Sequence, residues 1–437
     1  METIQPMELP AFFGSFTVFI LAGIPITVSM IASAMVYVTI RGMDMSFLGI
    51  QMFAALDNFV LLSIPMFILT AEVMNRTSVA DRIFDFCHSI VGYLRGGMGH
   101  VNIVTSVIFA GMSGSAVADV GGIGHLCYKA MVDKGYDKEF SAAVTMASST
   151  VGPIIPPSIP MVIYAMVANV SIGRLFFGGI LPGILIGVAL MIHVYIVSIK
   201  RGYPIEVQPP AAVLLRLILT SFVRSFLPLL TPLILLGGIY LGFVTVTEAS
   251  AIAVLYATIL GVILYRTLSA GGIWESFGRV FATCGAILMV IPAAKAFGFV
   301  LTAENVQMHI LRFMVSFCGD SPFLIMLFIN ILFIILGCLS DPNVNIMLFV
   351  PMVLPLSQAA GFDPTHFGII IIFNAMIGNL TPPVGVVLIT VCSIEKLNFE
   401  KAVAALTPFI LVLLGLLVFV TLTPQTVLFL PNLLFNR

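Results

Sequence analysis

Charge is what this sequence has least of. Asp, Glu, Lys and Arg make up 9% of its 437 residues, against about 25% in an ordinary soluble domain. The 19 basic and 20 acidic residues nearly cancel. No basic run stands out and aromatics do not interleave with Lys or Arg, so a nucleic-acid surface is excluded. The six cysteines form no C-x-x-C pair, and the histidines lack zinc spacing. That leaves no transition-metal site or cofactor to expect, and the cysteines read as small buried apolar residues. No G-x-x-x-x-G-K-S/T occurs, so the chain hydrolyses no ATP through a P-loop. Glu2 and Glu8 precede the first apolar run without any Lys or Arg. A secretory signal has a basic start, so the run reads as a retained span. No stretch is long and polar enough for a soluble domain.

What is present is apolar. Hydrophobic residues make up 60% of the chain and the mean hydropathy is +1.14. A helix needs about 20 apolar residues to cross the hydrocarbon. On that count full spans are expected near 14–40, 52–74, 140–168, 175–199, 217–242, 246–266, 280–301, 366–393 and 401–423. Two stretches read differently. Residues 97–131 are interrupted at Gly111-Met112-Ser113-Gly114-Ser115, and 322–359 at Gly337-Cys338-Leu339-Ser340-Asp341-Pro342. Their arms are short for a crossing and their tips are small and polar, so both read as re-entrant hairpins, with two short crossings each as the alternative. Residues 78–92 and 304–317 read as amphipathic interfacial pieces. The proline-containing stretch 200–213 divides the chain.

The two halves share their punctuation. A shift of 226 positions carries Gly111 onto Gly337, Gly152 onto Gly378 and Pro156-Pro157 onto Pro382-Pro383. Several breakers in register make an internal repeat. Four full spans separate 140–168 from 366–393, so these counterparts run in opposite directions and the repeat is inverted, a pattern of transporters. The division expected is 1–200 for the first repeat, 201–245 for a linker and connecting helix, and 246–437 for the second repeat. The same topology puts fourteen of the 19 Lys and Arg on one face. Arg41, Arg174, Arg312 and Arg437 lie on the other, and Lys295 alone falls inside a span. The positive-inside rule makes the rich face cytoplasmic, with the N-terminus inside and the C-terminus outside.

Irregular backbone at membrane depth is tolerated only around a cavity or within protein. Each half pairs a hairpin tip with a broken helix. In the first break Pro153, Pro156 and Pro157 are expected to free the carbonyls of Ser149, Gly152 and Pro153. In the second, Pro382 and Pro383 free Gly378 and Asn379. Loose carbonyls beside Ser and Thr hydroxyls suit a hard cation such as Na⁺. Candidate ion ligands are therefore Ser113, Ser115, Ser149, Thr150, Gly152, Gly337, Asp341, Gly378, Asn379 and Thr381. The hairpin tips carry helix N-termini, which attract carboxylates. Candidate substrate contacts are Ser115, Ser340, Asn343, Asn345, Pro156 and Pro382. Asp341 either favours a cation or caps its helix. Asp119 either partners local hydroxyls or takes part in ion coupling. Lys295 either acts in the membrane or snorkels to its edge.

G-M-S-G-S-A-V-A-D-V at 111–120, S-S-T-V-G-P-I-I-P-P-S at 148–158 and N-L-T-P-P-V-G at 379–385 closely resemble the large membrane subunit of tripartite ATP-independent periplasmic transporters. The resemblance covers essentially the whole chain. It implies an all-α integral membrane protein of inverted-repeat, elevator type, with two re-entrant helical hairpins and two broken transmembrane helices. It implies sodium-driven uptake of an organic acid across the bacterial inner membrane, the acid being delivered by a periplasmic binding protein. A small membrane subunit of about four helices is expected as a separate chain. The rivals are a self-sufficient carboxylate/sodium symporter, a passive channel, and an intramembrane serine protease built on Gly111-Met112-Ser113-Gly114 with one of the histidines.

Overall fold

The computed structural model describes residues 8–435 apart from 307, 311, 313–315, 317, 318 and 320. The described residues form helices and connecting turns, with no strand among them. Six helices are individually long and apolar enough to cross a membrane: Ile172–Arg201, Ala211–Tyr240, Val246–Leu264, Gly271–Ala303, Pro322–Leu339 and Phe399–Leu422. The expected interfacial piece at 78–92 is helix Val79–Val91. The one at 304–317 includes 307, 311, 313–315 and 317, which lie outside the described residues. Of the six cysteines Cys318 also lies outside them, and the other five are free, four of them buried.

Two expected spans are corrected. Residues 14–40 do not form one helix. The chain turns at Gly23 and Pro25 between helices Glu8–Leu21 and Ile26–Ile40, which pack side by side. Arg41 at the end of the second reaches Glu8 at the start of the first at 2.7 Å, and Glu304 at 2.7 Å. Tyr37 adds a hydrogen bond to Glu304. Both ends of this pair therefore share one face, and Glu8 moves to the face of Arg41, opposite to the expected one. Residues 52–74 are likewise not straight. Ser46–Leu56 and Phe59–Asn75 meet at 60°, where Asp57-Asn58 interrupts the apolar run.

Elsewhere the contacts respect the expected faces. Arg76 bridges Glu72 and Glu275, each at 2.8 Å, and Arg279 lies 3.6 Å from Glu72. Arg201 meets Asp137 at 2.9 Å and Lys134 meets Glu206 at 2.8 Å. On the other face Arg174 donates to Asn432 at 3.0 Å. Burial opposes the Glu206 charge, but hydrogen bonds from Lys134 and His88 outweigh it and hold the carboxyl below its usual range. These contacts pin the linker onto the base of the first hairpin.

Both expected hairpins are present. Gly97–Ser113 runs to a tip at Gly114-Ser115 and returns through Ala116–Asp119 and His125–Asp133. The arms lie antiparallel, since the Asn102 amide sits 3.4 Å from the Met131 sulfur near the base. Gly114 holds φ +65°, a left-handed conformation natural to glycine, and so reverses the chain. Pro322–Leu339 and Pro342–Ala359 form the second hairpin around Ser340-Asp341. By length Pro322–Leu339 is able to cross, yet its end packs against the second break. The Cys338 carbonyl accepts the N–H groups of Val384 at 3.2 Å and Gly385 at 3.3 Å.

The broken helices are Lys138–Ser149 with Ile159–Ala168, and Pro364–Gly378 with Val386–Ile394. The Tyr164 hydroxyl, near the end of the first, donates to the Pro364 carbonyl at the start of the second at 2.7 Å. The two therefore start at opposite ends. Their packing is crossed. Ile159–Ala168 lies against Pro342–Ala359 of the second hairpin, and Val386–Ile394 lies against Ala116–Asp119 of the first.

Candidate functional site

In the first half the hairpin tip meets the helix break. Ile159 N–H donates to the Gly114 carbonyl at 3.4 Å. The Ser115 hydroxyl accepts from Ala118 N–H at 3.4 Å and starts the return arm. Asp119 follows one turn later and is 1% exposed. It lies beside Gly152 in the break, because a Cβ built on Gly152 falls 2.4 Å from its Oδ2. Its other neighbour is the Ser113 hydroxyl. Both carboxylate oxygens and the Ser113 hydroxyl lack a hydrogen-bond partner among the described residues. An ionised carboxylate buried without a partner costs several kcal/mol, roughly, and calls for a cation or a proton.

The break supplies oxygens around that carboxylate. Ser149 and Thr150 donate their hydroxyl protons back to Met146 at 2.8 Å and Ala147 at 2.7 Å. Their lone pairs are left free to accept. The proline argument holds only in part. The Ser149 carbonyl is recaptured by Gly152 N–H at 3.1 Å, and that of Pro153 by the Ser158 hydroxyl at 2.5 Å. The Gly152 carbonyl keeps no hydrogen-bond donor among the described residues. Turns formed inside the break close the bonds that the prolines open.

In the second half Gly337 and Gly378 cross backbone to backbone. A Cβ on Gly378 would sit 2.5 Å from the Gly337 carbonyl carbon. The Gly378 carbonyl is recaptured by Thr381 N–H at 2.8 Å, and the Thr381 hydroxyl donates to Ile377 at 2.8 Å. The Asn379 carbonyl keeps no donor among the described residues, and its side-chain Oδ1 is buried and unpartnered. At the tip Asp341 caps its helix, accepting from Asn343 N–H at 2.8 Å. Ser340 donates to the Asn345 Oδ1 at 2.5 Å, and the Asn345 amide returns to the Ser340 carbonyl at 3.3 Å. The buried Asn343 Oδ1 is unpartnered.

The named residues thus fall into two groups. Ser113, Ser149, Thr150, Gly152 and Asp119 surround the first break, with Ser115 at the adjoining tip. Gly337, Gly378, Asn379 and Thr381 form the second break, with Ser340, Asp341, Asn343 and Asn345 at its tip. Pro156 and Pro382 shape the breaks, and both Pro-Pro bonds are cis.

Two cavities flank the hairpins, and both reach helix Ala270–Ala303. A cavity of about 710 Å³ joins Ser113 and Ser115 to Arg76 and Arg279 on the Lys/Arg-rich face. Another, about 610 Å³, lies by Met347 and Pro351 of the second hairpin. Lys295 opens into it, exposed between buried neighbours and without an ion pair among the described residues.

The sequence reading missed a polar ladder that locks each hairpin to its broken helix. Asn102 donates to Thr145 at 2.8 Å and Ser106 to Ser148 at 2.9 Å. In the second half Asn374 donates to Asn330 at 2.7 Å. The signal was there, as polar residues four apart (Asn102 and Ser106, Ser141 and Thr145) in apolar arms. It also missed Arg279. The serine-protease reading fails on geometry, because Ser113 has no hydrogen-bonded base among the described residues. His100, His125 and His366 are engaged with Arg95, Glu395 and Val420.

Comparison with known proteins agrees with the fold. Residues 13–426 match the family described as tripartite ATP-independent periplasmic transporter, DctM component. The chain is 38% identical to a sialic acid TRAP transporter large permease protein, SiaM, of Vibrio cholerae, covering 94% of this chain and 96% of SiaM. It is 35% identical to the isethionate TRAP transporter permease protein DctMQ of Oleidesulfovibrio alaskensis, covering 96% of this chain and 66% of DctMQ. The crystal structure of the Alcanivorax borkumensis YdaH transporter shares the fold, with TM-score 0.61, 14% identity and 86% of each chain covered. The chain therefore belongs to the tripartite ATP-independent periplasmic transporter family as a DctM component, a multi-pass permease of the inner membrane and not an enzyme.

Proposed function

We propose that this chain carries an organic acid across the inner membrane, coupled to sodium entry, after delivery by a periplasmic binding protein. A small membrane subunit of about four helices, as a separate chain, braces it. The observation that carries this reading is the buried Asp119 carboxylate, unpartnered beside the Gly152 break and the Ser149 and Thr150 hydroxyls. A hard cation satisfies all of these oxygens at once. Ser113, Ser115 and the free Gly152 carbonyl complete the first ion site. Gly337, Asp341, Gly378, Asn379 and Thr381 make a second. The substrate acid takes hydrogen bonds from Ser115, Ser340, Asn343 and Asn345, between backbone shaped by Pro156 and Pro382. Both relatives are named for organic acids, sialic acid and isethionate, which supports the substrate class.

Transport is of elevator type. Hairpins and broken helices move together along helix Ala270–Ala303, within repeats 1–200 and 246–437 joined by 201–245. Cavities on both sides of the hairpins meet that helix, which supports the motion. Lys295 stands in one, with Asp57 on the same wall, and Arg76 and Arg279 in the other, with Glu72 and Asp81 beside them. Lys295, without an ion pair among the described residues, is the cation left for an anion. The positive-inside rule then places both the Glu8 end and the C-terminal end in the periplasm. Replacing Lys295 by Gln is expected to raise the KM for the acid roughly tenfold while leaving the sodium requirement intact. Uptake kinetics in proteoliposomes check this.

Reconstitution with the small subunit in proteoliposomes tests the whole reading. Uptake of labelled acids is followed with binding protein present or withheld, and with or without an inward sodium gradient. Accumulation that needs both supports it. Accumulation that needs sodium alone replaces it with a self-sufficient symporter, and flux that neither saturates nor concentrates points to a channel.

A further inference from the structure

Helix Val79–Val91 buries Val79, Ile83 and Cys87 and turns Asp81 and Asp85 outward. Beside it runs the first part of helix Ala211–Tyr240. Phe86 meets Phe222 with ring centroids 5.7 Å apart, and the hydroxyls of Ser89 and Ser221 are 2.8 Å apart. Between the two helices lies a cavity of about 210 Å³, lined by Arg82, Asp85, His88, Tyr93, Ser221 and Arg224. It is separate from both cavities that flank the hairpins.

The charges in it are unbalanced. Arg82 lies over the Tyr265 ring at 4.0 Å and donates to the Arg224 carbonyl at 3.3 Å. Neither Arg82 nor Arg224 has a salt bridge among the described residues. His88 is held by Glu206 at 3.0 Å. Two guanidinium groups therefore face one carboxylate, Asp85. Leu217 of its lining is exposed, and on the same two helices so are Ile90 and Phe222. A cationic pocket between two helices, beside exposed aliphatic and aromatic surface, fits an amphiphile whose head is an anion and whose tails lie in hydrocarbon.

We propose that this cavity binds the phosphate of an anionic phospholipid from the leaflet on the Lys/Arg-rich face. The two arginines hold the phosphate diester with charge-assisted hydrogen bonds. Asp85 accepts a hydrogen bond from a headgroup hydroxyl, such as those of glycerol. The same carboxylate repels free inorganic phosphate, which carries more charge and lacks the tails. Bound there, the lipid ties the interfacial helix to the connecting helix.

Native mass spectrometry of the detergent-purified transporter, with its small subunit, tests this. Phosphatidylglycerol, phosphatidylethanolamine and phosphatidylcholine of identical acyl chains are titrated in turn, with inorganic phosphate as competitor. The expected result is a phosphatidylglycerol adduct weakened roughly tenfold or more in Arg82→Gln/Arg224→Gln. Arg216→Gln, on the same face but outside the cavity, is expected to leave the adduct unchanged. Unaltered melting temperature and elution volume show that the double variant is folded. Equal retention by the double variant overturns the proposal, as does equal binding of the zwitterionic lipids. Displacement by inorganic phosphate assigns the pocket to a soluble anion and overturns it too. Retention by the isolated chain but not by the complex shows that the small subunit covers the pocket, which overturns it for the assembled transporter.

Discussion

At the scale of residues, the account turns on a carboxylate that the fold leaves unsatisfied. Asp119 is buried and neither oxygen is hydrogen-bonded among the described residues. Sodium is then expected to raise the melting temperature of the wild type, since a ligand of the folded state stabilises it by mass action. In Asp119→Asn the sodium-dependent rise is expected to vanish, while the melting temperature without sodium stays equal or increases because an uncompensated charge has gone. Thermal unfolding in sodium and in choline buffers measures both. Gly378 gives a prediction of the opposite kind. Its Cβ would sit 2.5 Å from the Gly337 backbone, and backbone has nowhere to move in a packed crossing. Gly378→Ala is expected to destabilise by about 1–3 kcal/mol, read as a lower melting temperature and a smaller folded fraction. The residues of both breaks were legible in the sequence because proline and glycine mark them. Which carbonyls stay free was not legible. Rules for a straight helix free Ser149 and Gly378, but the turns inside each break recapture them at 3.1 Å and 2.8 Å.

At the scale of elements, hairpin and broken helix are joined by polar contacts inside an apolar setting, where each lost partner leaves a desolvated group. Asn102→Ala is expected to cost about 1–3 kcal/mol, and Thr145→Ala less than that. The double variant is expected to fall short of the sum, since Asn102 and Thr145 share one bond of 2.8 Å. A double-mutant cycle on melting data checks this coupling. The hairpins and the inverted order of the broken helices were legible, because small polar tips interrupt otherwise continuous apolar runs. The N-terminal helix pair was not. Both of its arms are apolar, and the turn at Gly23-Ile24-Pro25 holds no polar residue that would have stood out. A count of apolar length therefore merged 14–40 into one crossing. Contact between Glu8 and Arg41 at 2.7 Å is what separates them. The bend at Asp57-Asn58 had a mark in the sequence, a polar pair inside the apolar run, but a count of apolar length averages over it.

At the scale of the whole molecule, the Lys/Arg asymmetry and the ion pairs agree on two faces, and the larger cavity opens the first hairpin tip toward the basic one. A cysteine placed at Ser115 is therefore expected to react with a membrane-impermeant maleimide applied from that face, and at least several-fold more slowly from the other. Labelling of right-side-out and inside-out vesicles reads this directly. In the proposed mechanism, transport of the acid is coupled to a cation held at the first break. The most direct test is to follow radiolabelled sodium and radiolabelled substrate together in the same proteoliposomes, with binding protein and small subunit present. The account predicts that substrate entry carries sodium with it in a fixed ratio, and that Asp119→Asn abolishes or lowers that ratio. Substrate accumulation without sodium entry, or an unchanged ratio in Asp119→Asn, would contradict it.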